Sequence, residues 1–231
     1  MASLPQDYRA LVVGAQGGIG AALVQHLRAD NRCAVLHAWH RQSVPAINYA
    51  DESSIAAAAA TLQGAPPLQL LIVATGVLHG PGIKPEKRLA DLAYAPMEAV
   101  FRTNVFGPAL VLRHFAPLLC KQRSVLAVLS AKVGSIEVNR LGGWASYRAS
   151  KAALNMVLKT AAIELHRSHP GAVLVALHPG TVASALSRPF RGDEIGRPAD
   201  AATAQMLAAL DALQPEATGS FISYSGQRLP W

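Results

Sequence analysis

The chain has 231 residues, of which 51% are hydrophobic and 15% are charged, so it can build one large core and is not intrinsically disordered. Two cysteines, Cys33 and Cys120, are too few for a disulfide framework and have no metal-ligand spacing, which predicts reduced thiols and no metal site. The N-terminal segment lacks the order of a secretory signal, and no apolar stretch reaches the ~18 residues of a membrane span. We therefore expect a soluble, cytoplasmic protein without a membrane partner.

The net charge of +7 comes from basic residues that are scattered singly along the chain. A nucleic-acid backbone is bound by clustered positive charge, so we expect no nucleic-acid partner. Attraction of a phosphorylated small molecule is the simpler use of this charge.

Short apolar runs alternate with longer helical stretches along the whole chain. The second predicted helix has Ser53 or Ser54 as its cap. The alternation predicts right-handed crossovers and a parallel sheet, hence a single α/β domain over residues 1–231 with a Rossmann-like, doubly wound sheet flanked by helices. Strands are predicted over 9–13, 34–39, 68–74, 125–129, 173–177 and 220–224, and helices over 18–29, 53–62, 96–119, 146–167 and 199–213.

A glycine-rich turn joins the first strand to the first helix. Glycines stand at Gly14, Gly18 and Gly20, with a further one at Gly17. Without side chains, such a turn lets the backbone approach a pyrophosphate, and the amides at the helix N-terminus can face its oxygens. Its place at the first strand of an alternating pattern predicts a dinucleotide site.

The residues after the second strand indicate which dinucleotide is held. That strand ends as Trp39-His40-Arg41, and no carboxylate follows until Asp51. A carboxylate there would bind the ribose hydroxyls and repel a 2′-phosphate, whereas Arg41, with His40 as a second candidate, can pair with that phosphate. We therefore expect NADP(H), with NAD(H) as the alternative cofactor. The competing interpretation is that both are ordinary loop residues.

Tyr147 and Lys151 stand four residues apart at the start of a predicted helix, so they project from one face. An ammonium near a phenol favours the phenolate and lowers the pKa of the tyrosine. Tyr147 is then a candidate acid toward a carbonyl oxygen or a base toward an alcohol, although such a pair alone is usually structural.

These motifs, in this order and over nearly the whole chain, resemble those of the short-chain dehydrogenase/reductase family. Asn104 matches the helix asparagine of that family, and Pro179-Gly180 matches its turn after a late strand. The resemblance implies hydride transfer between NADP(H) and a small carbonyl or alcohol. Three further segments are similar to the C-factor-like carbonyl reductase subgroup, namely 141–144, 177–182 and 229–231.

The family's roles transfer residue by residue. Asn104 would fix a water that links Lys151 to solvent. Ala74-Thr75-Gly76 stands where the family usually has Asn-Ala-Gly, so a side chain that steadies the sheet is lost. Thr181 is a further candidate for the carboxamide or a phosphate. With Arg41, the implied cofactor contacts are Gly14, Gly18, Ile19, Gly20, Asn48, Ala74, Thr75, Gly76, Tyr147, Lys151, Pro179, Gly180 and Val182.

The family's catalytic serine has no clear counterpart. Alignment through Gly134 puts Ala131 at the usual position, with Ser130 and Ser135 on either side. We favour Ser130 as the hydroxyl that polarises the carbonyl because it ends a strand. Ser135 is the alternative, and in a third interpretation Tyr147 alone holds the oxyanion.

Ala131 also motivates a rival function, a catalytically weak NADP-binding regulatory protein. Epimerase or dehydratase chemistry is a further alternative, although such relatives have a larger C-terminal substrate region. A small, mostly apolar carbonyl compound is the expected substrate, with walls from His79, Trp144, Leu186 and Phe190. The family usually pairs through two long helices, here 96–119 and 146–167, so a homo-oligomer is expected, with dimer or tetramer left open.

Overall fold

The computed structural model describes all 231 residues, and six of its segments form one parallel sheet. The strands are β1 (Tyr8–Val13), β2 (Cys33–Trp39), β3 (Leu70–Val73), β4 (Ser124–Leu129), β5 (Ala172–His178) and β6 (Ser220–Ser223). They are arranged in the order β2-β1-β3-β4-β5-β6, and every neighbouring pair is parallel. From β1 the chain first adds β2 on one side and then β3 and the later strands on the other side. Doubly wound sheets bind ligands at this switch point, between β1 and β3.

Helices cover both faces of this sheet. They are α1 (Gly18–Ala29), α2 (Glu52–Ala60), α3 (Tyr94–Phe101), α4 (Gly107–Phe115), α5 (Ala145–Ser168), α6 (Gly192–Ile195) and α7 (Ala199–Asp211). Side chains alternate along β1: Leu11 packs in a core with α2, α4 and α5, and Val12 packs in a second core with α1 and α7. The doubly wound α/β fold that the sequence predicted is confirmed. No helix combines the length and apolar character that a membrane crossing requires.

The structure corrects several helix boundaries. The carboxylate of Asp51 accepts a hydrogen bond from the Ser53 amide, so α2 begins at Glu52 with Asp51 as its cap, not Ser53 or Ser54. The long helix expected over 96–119 is found as a continuous helical run from Tyr94 to Phe115, in which a π turn, Arg102–Phe106, separates α3 from α4. Helix α4 ends at Phe115, and a 3-10 turn that contains Pro117 follows, since proline has no amide to continue the helix.

Candidate active site

Two adjoining pockets lie along the carboxyl ends of the central strands. The nucleotide groove, about 390 Å³, is lined by Val13, Gly14, Gln16, Gly17, His40, Arg41, Ile47, Asn48, Tyr49, Ala50, Ala74, Thr75, Gly76, Arg102 and Thr103. The aromatic pocket, about 320 Å³, is lined by Ile19, Leu78, Ser130, Ala131, Val133, Trp144, Tyr147, His178, Pro179, Gly180, Thr181, Val182, Ser184, Leu186, Ser187, Phe190 and Ile195.

The glycine turn forms the floor between the two pockets. Gly14 has φ +86, and a Cβ there would lie 2.8 Å from the methyl of Thr75. A Cβ on Gly18 would lie 3.3 Å from Ser184, which lies on the segment that follows β5. Gly20, which the resemblance places at the pyrophosphate, packs against the Gly14 carbonyl, and a Cβ there would collide with it; like Gly18, it lines neither pocket itself. The missing side chain at Gly20 thus lets α1 pack closely on the turn.

The N-terminus of α1 is built to receive an anion. Gly17 stands at its cap position without a side-chain cap, and the first turn contains no acidic residue. The leading amides of a helix have no partner within the helix, and its dipole favours negative charge there. The glycine turn leaves open the space that side chains would fill, and this space lies beside the leading amides of α1. This arrangement fits the diphosphate of a dinucleotide.

The end of the groove beside the loop after β2 is basic, and the groove contains no carboxylate among its lining residues. Arg41 is exposed and lines this part of the groove, and His40 lies beside it. The side-chain carbonyl of Asn48 accepts a hydrogen bond from the Ala50 amide at 3.1 Å, which fixes its orientation. Arg102 also lines the groove and pairs with Glu98 at 2.6 Å. Sequence reasoning missed Arg102 because only the π turn brings it to this groove.

Tyr49 was missed as well. Its hydroxyl lies 3.0 Å from the Thr75 hydroxyl, and its ring covers Gly107, where any Cβ would collide with it. The Tyr49–Thr75 hydrogen bond ties the loop that carries Asn48 to the end of β3. It anchors the end of β3 at Thr75, the residue after Ala74. Ala74 stands where the family usually has asparagine.

Tyr147 and Lys151 share one flank of α5, as the spacing predicted. The Lys151 ammonium is buried, donates a hydrogen bond to the Leu129 carbonyl at 2.9 Å, and lies 5.9 Å from the centroid of the Tyr147 ring. A Cβ on Gly76 would lie 3.6 Å from both the Lys151 nitrogen and the Asn104 carbonyl oxygen. The ammonium therefore lies next to the nucleotide groove, and the phenol lines the aromatic pocket.

Burial controls the charge of this pair. It raises the pKa of Tyr147 to about 12 and lowers the pKa of Lys151 to about 8. The sequence predicted a lowered phenol pKa, and that direction is wrong here because the loss of hydration outweighs the attraction of the ammonium. The phenol is therefore protonated at neutral pH and can act as a proton donor.

Asn104 lies fully buried in the π turn beside this pair. Its side-chain carbonyl accepts from the Val77 amide at 2.8 Å, and its amide donates to the Val77 carbonyl at 2.9 Å and to the Ser150 hydroxyl at 3.0 Å. Both hydrogens of the side-chain amide and one acceptor position of its oxygen are thus used by protein groups, and one acceptor position of that oxygen is left for a further donor.

The structure separates the two serine candidates. Ser130 lines the aromatic pocket and donates to the side-chain carbonyl of Asn155 at 2.6 Å. Ser135 lies outside both pockets and donates to the Trp231 carbonyl at 2.8 Å. Ala131 lines the same pocket as Ser130. Asn155, which the sequence did not single out, has a buried amide nitrogen without a partner.

Aromatic rings close the aromatic pocket. The ring centroids of Trp144 and Phe190 lie 4.8 Å apart, and Trp144 also meets Tyr147 edge-on at 6.4 Å. Leu186 lines the pocket too, whereas His79 lies behind it, with its Nε2 atom 3.1 Å from the Leu186 carbonyl oxygen. Of the four expected wall residues, three therefore line the pocket and the fourth holds the segment that covers it.

The aromatic pocket has no charged side chain among its lining residues. Burial lowers the pKa of His178 to about 4, so its ring is neutral at neutral pH, and its Nδ1 accepts from the Lys132 amide. Pro179, Gly180 and Val182 line the same pocket. The Arg197 guanidinium donates to the Pro179 carbonyl at 2.6 Å, so this turn is fixed from behind.

A parallel doubly wound sheet, a glycine turn at its switch point and a Tyr-Lys pair beside an uncharged pocket define a dinucleotide-binding oxidoreductase site. The model of the family described as short chain dehydrogenase matches residues 8–195. The chain belongs to this family.

Two relatives illustrate the likeness. C-signal of Myxococcus xanthus is 36% identical over 145 residues, which cover 62% of this chain and 83% of that protein. The 1-hydroxy-2-glutathionyl-2-methyl-3-butene dehydrogenase of Rhodococcus sp. (strain AD45) is 29% identical over 232 residues, covering 96% of this chain and 98% of that protein.

Solved structures agree with these relatives. NADPH-bound carbonyl reductase from chicken fatty liver superposes with a TM-score of 0.83 and 27% identity over 99% of this chain and 96% of that chain. Carbonyl reductase Sniffer of D. melanogaster, with a TM-score of 0.82 and 21% identity, covers 98% of this chain and 100% of its own and supports the fold. The chain is an oxidoreductase of this family, and its resemblance to the carbonyl-reductase-like subgroup is confirmed.

Proposed function

We propose that this protein reduces small, uncharged, largely apolar carbonyl compounds with NADPH. One observation carries the proposal: a protonated phenol and a buried ammonium lie where a basic nucleotide groove meets a pocket without charged side chains. A charged substrate group in that pocket would lose its hydration without gaining an oppositely charged partner, which costs free energy. The pocket volume of about 320 Å³ is near the lower end for ligand sites, and this supports a small substrate.

The groove residues fit NADP(H). Gly14, Gly18, Ile19 and Gly20 would line the diphosphate at the start of α1. Arg41 with Arg102 would hold the 2′-phosphate. Asn48 would meet the adenine. Ala74, Thr75 and Gly76 would lie beside the adenosine ribose. Pro179, Gly180 and Val182 would bind the carboxamide of the nicotinamide. The absence of a carboxylate along the groove favours NADP(H) over NAD(H).

The bound cofactor supplies the hydride for the carbonyl carbon. Tyr147 donates a proton from its hydroxyl to the carbonyl oxygen, and the Lys151 ammonium stabilises the negative charge that forms on the phenol oxygen. Lys151, whose ammonium lies beside Gly76, would also bind the ribose hydroxyls of the cofactor. Asn104 fixes the π turn beside Lys151, on the path by which Tyr147 regains its proton from solvent.

Ser130 is the proposed carbonyl-polarising hydroxyl. Its hydroxyl is held by Asn155 at 2.6 Å, so it would reach a carbonyl only by changing its hydrogen-bond partner. Its place in the aromatic pocket supports it over Ser135, which bonds to Trp231 outside.

Turnover is favoured over a purely regulatory role because the pocket beside Tyr147 is formed and because a relative that covers nearly the whole chain is named a dehydrogenase. We place the protein in the cytoplasm as a homo-oligomer, dimer or tetramer. Exposed apolar side chains at Phe106, Met156 and Ile163, on the π turn and α5, support association through α4 and α5.

The test is NADPH oxidation against a panel of carbonyl compounds matched in size, half neutral and half carboxylated. We expect turnover of neutral, apolar members and none of carboxylated ones. NADPH binding without turnover of any member would instead favour the regulatory alternative, and faster turnover of carboxylated members would contradict the substrate class.

A further inference from the structure

Glu86 is a buried carboxylate that the proposed chemistry does not use. It lies on the loop between β3 and α3, and only 5% of its surface is exposed. No lysine, arginine or histidine lies within ion-pair distance of it, since it takes part in none of the salt bridges of the chain. A buried carboxylate without a cation is costly unless other groups satisfy it.

The groups that satisfy Glu86 belong to the first turn of α5. The Ser146 hydroxyl donates to one carboxylate oxygen, and the Ser146 amide donates to the other at 3.2 Å. The main-chain carbonyl of Glu86 accepts from the Trp144 amide. Glu86 thus holds both Trp144 and Ser146, which lie just before Tyr147 in the chain.

The backbone of residues 142–144, which leads into α5, needs stabilising contacts from another part of the chain. Gly142, Gly143 and Trp144 are all left-handed, with φ of 63, 64 and 53, and Trp144 takes the cap position of α5 without a side-chain cap. A left-handed conformation is unfavourable for tryptophan and persists only where its surroundings enforce it. The carboxylate of Glu86 replaces the missing cap and meets the positive end of the helix dipole.

The held segment carries two parts of the site. Tyr147, the proposed proton donor, directly follows Ser146, and Trp144 packs against Phe190 to close the aromatic pocket. A shift of this turn would move the phenol and the wall together, and a displacement of about 1 Å can cost on the order of a hundredfold in rate.

We propose that Glu86 is a positioning residue: by capping α5 it sets the place of the Tyr147 hydroxyl and of the Trp144 wall. This inference rests on the proposed reductase function. Glu86 does not touch the nucleotide groove, so its effect falls on the carbonyl half-reaction and not on cofactor binding.

The test compares Glu86→Ala, Glu86→Gln and Ser146→Ala with a control, Glu216→Gln, at an exposed glutamate outside both pockets. Glu86→Ala should lower kcat/KM for the carbonyl on the order of tenfold to a hundredfold, with the Kd for NADPH unchanged. Glu86→Gln keeps an acceptor but loses the charge at the helix dipole, so it should recover activity to within about fivefold of wild type. Ser146→Ala removes one bond and leaves the carboxylate, so it should fall between the two Glu86 variants. The control should match wild type.

Amide hydrogen exchange in the first turn of α5 supplies a readout that does not need turnover. Faster exchange there in Glu86→Ala, with the rest of the chain unchanged, supports the proposal. Unchanged exchange and unchanged kcat/KM would overturn it, as would a parallel loss of NADPH binding, Tm and activity, which marks a merely structural residue. If wild type turns over no carbonyl, the proposed function fails, while the exchange result still decides whether Glu86 holds the turn.

Discussion

The two halves of the cleft are built in different ways. The nucleotide groove draws its floor from the continuous turn Gly14–Gly18 and from the ends of neighbouring strands, and it uses backbone amides and basic side chains. The aromatic pocket is assembled from segments far apart in sequence, such as Trp144 on one side and Phe190 on the other. The groove therefore presents a ligand-binding backbone, and the pocket presents side chains whose positions depend on distant supports such as Glu86 and His79.

This difference separates two kinds of substitution. Changes in the groove should alter cofactor binding and leave proton transfer intact. Changes at pocket residues that the cofactor would not contact, such as Trp144 and Phe190, should alter turnover and leave cofactor binding intact. The predictions below are ordered by expected size and test whether this division holds.

Tyr147→Phe should give the largest effect. It removes the proton donor and keeps the ring that meets Trp144, so kcat for carbonyl reduction should fall about a hundredfold to ten-thousandfold. The Kd for NADPH, measured by fluorescence titration, should stay within about twofold of wild type because Tyr147 lines the aromatic pocket and not the nucleotide groove. Retained turnover would remove Tyr147 from the mechanism.

Arg41→Ala tests the groove. A lost hydrogen bond to a charged group costs about 1.5–3 kcal/mol, so the Kd for NADPH should rise about tenfold to a hundredfold while the Kd for NADH hardly changes. Isothermal titration with both cofactors measures this, and Arg167→Ala, at an exposed position that lines neither pocket, is the matched control. Equal weakening of both cofactors would place Arg41 away from the 2′-phosphate.

The pH dependence of turnover tests Lys151. Burial lowers its pKa to about 8, so it is an ammonium below that pH and becomes neutral above it. The ammonium stabilises the forming phenolate, so kcat for reduction should be flat below pH about 8 and then fall by up to about tenfold per pH unit. Lys151→Arg cannot lose its proton in this range and should abolish this limb of the profile. A wild-type rate that rises above pH 8 would contradict the role of the ammonium.

Tyr49→Phe should have the smallest effect. It removes one hydrogen bond to Thr75 and keeps the ring over Gly107, and a neutral hydrogen bond contributes about 1 kcal/mol. The Kd for NADPH should therefore rise about fivefold with kcat unchanged, in contrast to Tyr147→Phe. Comparing the two tyrosine variants in one assay shows whether groove and pocket separate as the structure indicates.

The same division explains what the sequence predicted. The fold, the glycine turn and the shared flank of Tyr147 and Lys151 follow from local patterns with periods of a few residues, and all three are found in the structure. Arg102 and Tyr49 were missed because they reach the groove only through the π turn and through packing on Gly107. Glu86 and Asn155 were missed because their partners, Ser146 and Ser130, lie 60 and 25 residues away.

The direction of the tyrosine pKa failed for a related reason. The four-residue spacing of Tyr147 and Lys151 reveals their proximity, but the effect of burial on each group depends on every element packed around them. Gly20 gives a similar lesson in packing. Its place in the turn was clear from the sequence, whereas its contact with the Gly14 carbonyl required the fold.

The most direct test of the central claim is a crystal structure of Tyr147→Phe with NADPH and an uncharged carbonyl compound, compared with wild type. We predict that the carbonyl oxygen in wild type lies about 2.6–3.2 Å from the Tyr147 hydroxyl, inside the aromatic pocket, with the cofactor along the nucleotide groove. In the variant the cofactor should keep its place. A carbonyl bound outside the aromatic pocket, or a Tyr147 hydroxyl directed away from it, would contradict the account.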